Sequence, residues 1–238
     1  VIGGGYNLLV RDGGIRGAVI SLARLNRMEF ASPDAVRAEA GVENLALVRF
    51  AQVKGLGGIS FIAGIPGTLG GAVSMNAGAY GEGILEKAVS ITLLRRGDFV
   101  EVPRGELDFG YRRLTLDAGD VVVAAAFALE QRDPSRTEEE IRKDLELRRT
   151  KHAVRHPSAG SFFKNPAGEG AWRLIDGAGL RGTCVGGAMV SEVHANFLVN
   201  TGGATAGDFL ELAALVKKRV LDTYGVLLEE EVRILGED

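Results

Sequence analysis

Short runs of apolar and polar residues bounded by glycine mark the first half of the chain. Residues 17–22 (GAVISL) and 35–41 (AVRAEAG) are two such runs, and alternation in the second suits a half-buried strand. Residues 88–94 and 121–129 form longer apolar runs that also predict strands. The last run is nearly continuous, so we expect a strand that is buried on both faces.

Helical spacing replaces this pattern after residue 43. Leu45, Val48 and Ala51 recur at the interval that places apolar side chains on one face of a helix. Asn44 is a suitable N-cap, and Gly55 stands where a left-handed residue ends a helix. We therefore predict a helix over residues 44–54.

A polar, proline-containing segment, QRDPSR at residues 131–136, interrupts the chain. Such composition is typical of a connection between domains, and we predict domains at residues 1–130 and 131–238. Thr137 and Glu140 then have the spacing of a capping box, which predicts a helix through about Arg149.

The second half is predicted to mix helices and strands. A short helix is expected at residues 171–176, with strands at residues 187–190 and 196–200. A longer amphipathic helix follows, with Thr205 and Asp208 capping its start and Gly225 ending it. Its apolar face consists of Phe209, Leu212, Val216 and Val220.

Charge and composition exclude several function classes. The 238 residues carry 28 basic and 31 acidic side chains and a net charge of −3, which offers no overall attraction for nucleic acid. The apolar runs are too short to cross a bilayer, and no cationic and apolar signal opens the chain. We therefore expect a cytoplasmic protein without membrane insertion. The abrupt opening on VIGGG suggests an incomplete N-terminus.

Cysteine and histidine usage argues against a metal site. Cys184 is the single cysteine, and His152, His156 and His194 do not have zinc-ligand spacing. We expect Cys184 to be a small buried residue and predict no metal.

Glycine is the compositional anomaly: the chain has 34 glycines, and half of them lie in the first 90 positions. Residues 64–81 read GIPGTLGGAVSMNAGAYG, and residues 3–14 read GGGYNLLVRDGG. Dense glycines let successive backbone amides face one concavity, which suits a pyrophosphate, although plain turns explain two or three of them equally well. Residues 64–81 are neither a Walker A loop nor the first turn of a dinucleotide-binding βαβ unit. Two such loops suit a long dinucleotide better than a mononucleotide.

Six motifs occur in fixed order, and together they resemble one enzyme family. They are GGGxNLLV near the start, GIPGTLGGAVSMNAGAYG, FGYR at 109–112, PSAGSFFKNP at 157–166, SEVHANFLVN at 191–200 and LEEEVRILG at 228–236. The set resembles the UDP-N-acetylenolpyruvoylglucosamine reductase (MurB) family of peptidoglycan precursor synthesis, in its compact subtype. The resemblance implies an α+β fold: a two-part FAD-binding domain of the vanillyl-alcohol-oxidase (PCMH) type, followed by a smaller α+β substrate-binding domain.

The resemblance also implies the chemistry. NADPH reduces FAD, and flavin N5 passes hydride to C3 of the enolpyruvyl group of the UDP-sugar, which leaves negative charge at C2. Arg112 matches the arginine expected to stabilise that charge, because a guanidinium pairs bidentately with a carboxylate. Ser161 matches the serine expected to protonate C2, and Glu231 the glutamate expected to hold or donate a proton nearby.

Further positions are carried over from the same motifs. The predicted cofactor-binding residues are Gly3, Gly4, Gly5, Asn7, Gly64, Ile65, Pro66, Gly67, Thr68, Gly70, Gly71, Asn76, Ala77 and Gly78. The predicted substrate-binding residues are Tyr80, Tyr111, Lys151, Lys164, Asn165, Asn196 and Arg233. Lys164 is also a candidate helper for Ser161. The expected partners are the UDP-sugar and NADPH, and the protein is expected to be a monomer.

Some positions depart from the family pattern, and two other functions stay open. The departures are Tyr6 in place of serine, Ser60 in place of glutamate, Leu114 in place of serine, and His152 with Ala153 in place of a QP pair. An inward Tyr6 ring would disturb the flavin phosphates, whereas an outward ring would leave the backbone contacts intact. The alternatives are another FAD oxidoreductase of the same superfamily and a flavin-free UDP-sugar-binding fragment.

Overall fold

A computed structural model describes residues 1–79, 81–151 and 154–238. The chain forms two compact units: unit 1 contains residues 1–5 and 19–148, and unit 2 contains residues 6–18 and 149–238. The helices are α1 (Asn44–Gln52), α2 (Leu69–Ser74), α3 (Pro134–Lys151), α4 (Ala171–Gly177) and α5 (Ala206–Tyr224).

The strands are short except for two in unit 1. They are β1 (Leu8–Val10), β2 (Met28–Ser32), β3 (Ala35–Glu39), β4 (Leu56–Gly57), β5 (Gly78–Ala79), β6 (Glu82–Gly83), β7 (Ala88–Arg95), β8 (Asp98–Pro103), β9 (Phe109–Gly110), β10 (Arg113–Leu114), β11 (Val121–Ala128), β12 (Glu130–Gln131), β13 (Ser158–Ser161), β14 (Cys184–Val185), β15 (Ala188–Val190), β16 (Phe197–Asn200) and β17 (Arg233–Leu235).

Unit 1 is built on an antiparallel five-stranded sheet with the order β2-β3-β11-β7-β8. The apolar run predicted at 121–129 is the central strand β11, and its Phe127 is completely buried. The strands predicted at 35–41 and 88–94 are confirmed as its neighbours β3 and β7. Because β11 pairs on both edges and packs on a core, its sequence has room for few polar residues.

The N-caps predicted for the two helices assigned to unit 1 are wrong, although α1 begins at the predicted Asn44. Glu43, not Asn44, is the N-cap of α1, and the Asn44 side chain donates instead to the Ile65 carbonyl at 3.0 Å. Gly55 does take the left-handed conformation, with φ 67°.

The capping box predicted at Thr137 does not form, because α3 begins three residues earlier at Pro134. Proline suits the first helical position, where its missing N–H is not needed. Asp133 accepts from the Ser135 amide at 2.9 Å, and Glu140 pairs with Arg132 at 3.0 Å. The capping role predicted for Thr137 therefore passes to Asp133.

Helix α3 also shifts the division of the chain relative to the predicted boundary at residues 130 and 131. Ile141 is completely buried in the core of unit 1, so the helix counts with that unit as far as Arg148. A polar linker in the sequence therefore marks the start of a packed helix rather than the point where the units divide.

Unit 2 contains an antiparallel four-stranded sheet with the order β13-β16-β15-β14. The predicted elements that correspond to α4, β15, β16 and α5 are confirmed. Each begins and ends within one residue of its predicted position. Thr205 and Asp208 form a reciprocal capping box at the start of α5, and Gly225 ends it with φ 69°. Leu212, Val216 and Val220 of that helix pack in the core.

The segment of residues 6–18 belongs to unit 2 through two long-range links. Strand β1 runs parallel to β17, with Leu8 opposite Arg233. Asp12 accepts from the Ala206 and Gly207 amides at 2.7 and 2.9 Å, which adds a second cap to α5. The start of the chain therefore contributes to both units.

Two further sequence predictions are wrong. Residues 17–22 form no strand: Ser21 makes one isolated bridge to Ile2, and Val19 and Ile20 are exposed because no neighbouring strand covers them. Cys184 is exposed rather than buried because it lies in the edge strand β14. Among the described residues, no helix is both long and apolar enough to span a membrane.

Candidate active site

The predicted catalytic Arg112 lies at the tip of a tight hairpin in unit 1. Strands β9 and β10 pair Gly110 with Arg113, so Tyr111 and Arg112 form the two-residue turn between them. Arg112 takes φ 53°, a left-handed conformation that costs a non-glycine residue about 1 kcal/mol or more. Its guanidinium lies 5.4 Å from the centre of the Tyr111 ring. The hairpin therefore holds an arginine in a conformation that it would not adopt by preference.

Asn76 fixes one side of this hairpin. Its Nδ2 donates to the Gly110 carbonyl at 3.0 Å, and its Oδ1 accepts from the Leu85 amide at 3.0 Å. The Asn76 side chain is buried, with 3% of the residue exposed. It was predicted to bind the cofactor, but the bonds of its amide support the loop before Arg112. A cofactor contact for Asn76 stays a prediction.

The adjacent arginine has a different task. Arg113 pairs with both oxygens of Asp108 at 2.7 and 2.9 Å, and Thr115 donates to the same carboxylate at 2.7 Å. The Arg113 hydrogen bond, followed by that of Thr115, holds the pKa of Asp108 below its usual range. These bonds assign Arg113 to the hairpin itself. Asp108, which directly precedes FGYR, was not singled out from the sequence.

Ser161 and Glu231, the other two predicted catalytic residues, lie on neighbouring backbone segments of unit 2. Ser161 ends β13 opposite Phe197. The next residue, Phe162, accepts from the Glu231 amide at 2.8 Å. Phe163 and Glu230 form an antiparallel bridge, and both Ser161 and Glu231 are half-buried. Two motifs about 70 residues apart in sequence are thereby brought side by side.

Asn196 supports the segment that follows Ser161. Its Nδ2 donates to the Phe163 carbonyl at 2.8 Å, and its Oδ1 accepts from the Phe163 amide at 3.0 Å. Its own carbonyl accepts from the Phe162 amide at 2.8 Å. Asn196 is 2% exposed, so these bonds are made within the core, and the predicted substrate contact stays a prediction.

Two more candidates in unit 2 also bond to the protein. Asn165 accepts from the Ala171 amide at 3.0 Å, which supports the start of α4. Lys164 forms an ion pair with Glu229, on the segment that leads to Glu231. Arg233 is exposed in β17. Lys164, Asn165 and Arg233 all belong to the same unit as Ser161, as a common site would require.

Two substrate candidates cannot be placed in full. Tyr80 lies outside the described residues, as do His152 and Ala153 among the family departures. Lys151 is the last residue of α3, and its side chain also lies outside the described part of the chain. Burial lowers the pKa of the Arg148 guanidinium three positions earlier.

The second glycine segment has the features expected beside a bound cofactor. Thr68 Oγ1 is buried and has no hydrogen-bond partner among the described residues. A Cβ atom on Gly3 would lie 2.5 Å from that hydroxyl, so the first glycine segment approaches it closely. A buried hydroxyl without a protein partner is an exception that a ligand can explain. The residues present therefore fit a cofactor that lies beside this contact and takes a hydrogen bond with the Thr68 hydroxyl.

Other groups of that segment are already used by the protein. The Leu69 and Gly70 amides donate to the Val42 and Ala40 carbonyls, both at 2.8 Å. A Cβ atom on Gly70 would lie 2.8 Å from that of Ala40, so this glycine is required for close packing. Fewer backbone amides of this segment are therefore left for a ligand than the density of glycines suggested.

The structure places Tyr6 and Ser60, two of the family departures. Tyr6 is 56% exposed, and the effect of its ring on the flavin phosphates stays a prediction. Ser60 donates to Glu140 at 2.8 Å. Ser60, Arg132 and Glu140 help to line a cleft of about 360 Å³ in unit 1. None of the predicted site residues lines this cleft.

Comparisons with known proteins agree with this geometry. Residues 152–235 match the family described as UDP-N-acetylenolpyruvoylglucosamine reductase, C-terminal domain, and residues 1–98 match one described as FAD binding domain. A UDP-N-acetylenolpyruvoylglucosamine reductase of Pelobacter propionicus is 68% identical over 237 residues, covering 100% of this chain and 80% of that protein. The chain belongs to the UDP-N-acetylenolpyruvoylglucosamine reductase family.

More distant members of the family extend the agreement. The reductase of Pediococcus pentosaceus is 44% identical, with 100% of this chain and 80% of that protein covered. The crystal structure of the reductase from Thermus caldophilus superposes with a TM-score of 0.85 at 35% identity, covering 98% of this chain and 84% of that one. The family, the α+β fold with an FAD-binding domain, and the flavin cofactor predicted from the motifs are confirmed.

Proposed function

We propose that this chain is an NADPH-dependent flavoenzyme that reduces UDP-N-acetylglucosamine enolpyruvate to UDP-N-acetylmuramate. The observation that carries the proposal is the pairing of the segment after Ser161 with Glu231 through the Phe162 carbonyl at 2.8 Å. A hydroxyl and a carboxyl on adjacent segments suit the delivery of a proton to a carbon that has just received hydride. Membership of the reductase family supplies the substrate.

A bound FAD would supply the hydride-transfer chemistry between NADPH and C3 of the enolpyruvyl group. The two glycine segments would hold it, with the Thr68 hydroxyl available to a polar atom of the cofactor.

Arg112 stabilises the negative charge that hydride addition creates. That charge spreads from C2 into the adjacent carboxylate, and a guanidinium remains cationic while it donates two parallel hydrogen bonds. The left-handed turn presents Arg112 at the hairpin tip, whereas Arg113 is engaged by Asp108. A preorganised donor of this kind contributes roughly 100- to 1000-fold in rate.

Ser161 donates its hydroxyl proton to C2, and Glu231 holds a proton in the same region. A serine hydroxyl is a weak acid in water, so the transfer requires a site from which water is excluded. The apolar side chains of Phe162 and Phe163, which are 2% and 1% exposed, exclude water from the interior side of this segment.

The proposal is tested by separating the two half-reactions. The purified protein, mixed with FAD and then freed of unbound flavin, should be yellow and should consume NADPH only when UDP-N-acetylglucosamine enolpyruvate is present. Ser161→Ala should leave flavin reduction by NADPH near normal and slow flavin reoxidation by substrate by roughly 100- to 10,000-fold. Ser158→Ala, an exposed position of the same strand, is the matched control and should change neither step.

Equal losses in both half-reactions of Ser161→Ala would contradict the role of this serine. A yellow protein that is reduced by NADPH but not reoxidised by this substrate would favour another FAD oxidoreductase. A colourless protein that still binds UDP-sugar would favour a flavin-free fragment. We also propose that the enzyme acts in the cytoplasm, where NADPH is available, and that it is a monomer. Light scattering after size-exclusion chromatography measures the mass of the particle and tests the second proposal.

A further inference from the structure

Asn7 connects the end of the first glycine segment to the backbone of Glu231. Its Nδ2 donates to the Glu231 carbonyl at 3.0 Å, although the two residues are 224 positions apart. Its own carbonyl accepts from the Arg233 amide at 3.0 Å. These two bonds lie on either side of Val232, which is buried. One asparagine therefore holds the backbone from Glu231 to Arg233.

The other side of Glu231 is held by the segment that follows Ser161. The Glu231 amide donates to the Phe162 carbonyl at 2.8 Å. The peptide groups before and after Glu231 are thus each fixed by a partner from a distant part of the chain. Because the Cα–Cβ direction follows from the orientation of these two peptides, Asn7 and Phe162 together set where the carboxyl points.

We infer that Asn7 is a positioning residue that aims the Glu231 carboxyl, in addition to any contact with the cofactor. The inference rests on the proposed function, in which Glu231 holds a proton beside the substrate. The β1–β17 pairing begins at Leu8 and Arg233, so it does not include the Glu231 carbonyl. The Asn7 side-chain amide suits this role because its Nδ2 donates to that carbonyl. Removal of Asn7 Nδ2 should therefore loosen Glu231 without removing it.

The experiment compares Asn7→Ala with Asn200→Ala, both supplied with saturating FAD. Asn200 is a matched control because its side chain also bonds to backbone, accepting from the Gly202 and Ala204 amides, and lies outside the proposed machinery. In stopped-flow measurements, Asn7→Ala should keep flavin reduction by NADPH within about twofold of the wild type. Flavin reoxidation by substrate should fall about tenfold, in the limiting rate rather than in KM. Asn200→Ala should change neither.

A double-mutant cycle shows whether Asn7 acts through Glu231. In the Glu231→Gln background, Asn7→Ala should cause no further loss of the reoxidation rate. A full additional tenfold loss in that background would overturn the inference, as would complete recovery of Asn7→Ala at saturating FAD. If the wild type is not reoxidised by substrate at all, the proposed function fails instead, and the two failures are distinguishable.

A readout that needs neither cofactor nor activity completes the test. The Val232 amide, which lies 3.4 Å from the Phe162 carbonyl, should exchange with solvent faster in cofactor-free Asn7→Ala than in the wild type. If Asn7→Ala does not fold, Asn7→Asp keeps the size of the side chain, loses the donor, and should show the same faster exchange and slower reoxidation. Unchanged Val232 exchange in a folded variant would overturn the inference.

Discussion

Replacement of Asn76 should weaken both unit 1 and the presentation of Arg112. The side chain joins the Leu85 amide to the Gly110 carbonyl through two bonds of 3.0 Å. Leu85 is completely buried, so its amide would lose its side-chain acceptor without access to water. An unsatisfied buried group costs about 1–3 kcal/mol, and the half-buried Gly110 carbonyl adds about 0.5–1 kcal/mol. Asn76→Gly should therefore destabilise unit 1 by about 3 kcal/mol.

Three substitutions of Asn76 distinguish the effect of its two hydrogen bonds from the effect of its backbone conformation. Asn76 has φ 43°, which glycine tolerates and alanine does not, so Asn76→Ala should cost about 1 kcal/mol more than Asn76→Gly. Asn76→Asp keeps the acceptor for Leu85 and loses the donor to Gly110. It should therefore preserve the protection of the Leu85 amide while still disturbing the Arg112 hairpin.

The assay uses a probe in each unit. Hydrogen exchange of the Leu85 amide reports unit 1, and fluorescence of Trp172, the single tryptophan, reports unit 2 during urea unfolding. Leu85 should lose protection in Asn76→Gly and Asn76→Ala, whereas the Trp172 transition should move less. The reasoning is refuted if Leu85 stays as protected in Asn76→Ala as in the wild type, or if unfolding of unit 1 shifts by less than about 0.5 kcal/mol.

Three other outcomes follow from single interactions. Asp12→Ala removes the cap on the first two amides of α5 and should cost about 1–2 kcal/mol in urea unfolding, whereas the exposed Asp238→Ala should cost less than about 0.5 kcal/mol. Hydrogen bonds from backbone amides hold the pKa of Asp208 in the folded protein below its usual range. The Asp208 carboxylate therefore stabilises the fold above about pH 4, and this stabilisation is lost as the pH falls through the lowered pKa of the folded state. The stability difference between wild type and Asp208→Asn should accordingly shrink on acidification, and a constant difference from pH 5 to pH 2 would contradict this. Arg112→Lys should slow flavin reoxidation about 100-fold and Arg113→Lys less than tenfold, and equal losses would argue against separate roles.

Elements whose signals are local could be predicted from the sequence. Helix α5 carries its own caps at Thr205, Asp208 and Gly225, and all three act as predicted. Residues 17–22 have the composition of a strand but no strand beside them, and pairing cannot be read from one segment. The start of α3 had a local signal in Asp133 and Pro134, which outweighed the competing capping box at Thr137.

The asparagines of the motifs show why the site was harder to predict than the fold. Asn7, Asn76 and Asn196 were all assigned to ligands because they stand in ligand-binding motifs. The structure shows that each side-chain amide also bonds to backbone, which lies 224, 34 and 33 positions away. An asparagine side chain carries both N–H donors and a carbonyl acceptor, as the peptide backbone does, so it can continue hydrogen bonding where no strand is available. A motif records that such a residue is needed but not which partner it serves. The three bonds lie next to Glu231, the Arg112 hairpin and the segment after Ser161, so we infer that part of each motif maintains the direction of the proposed catalytic side chains, in addition to any contact with the ligand.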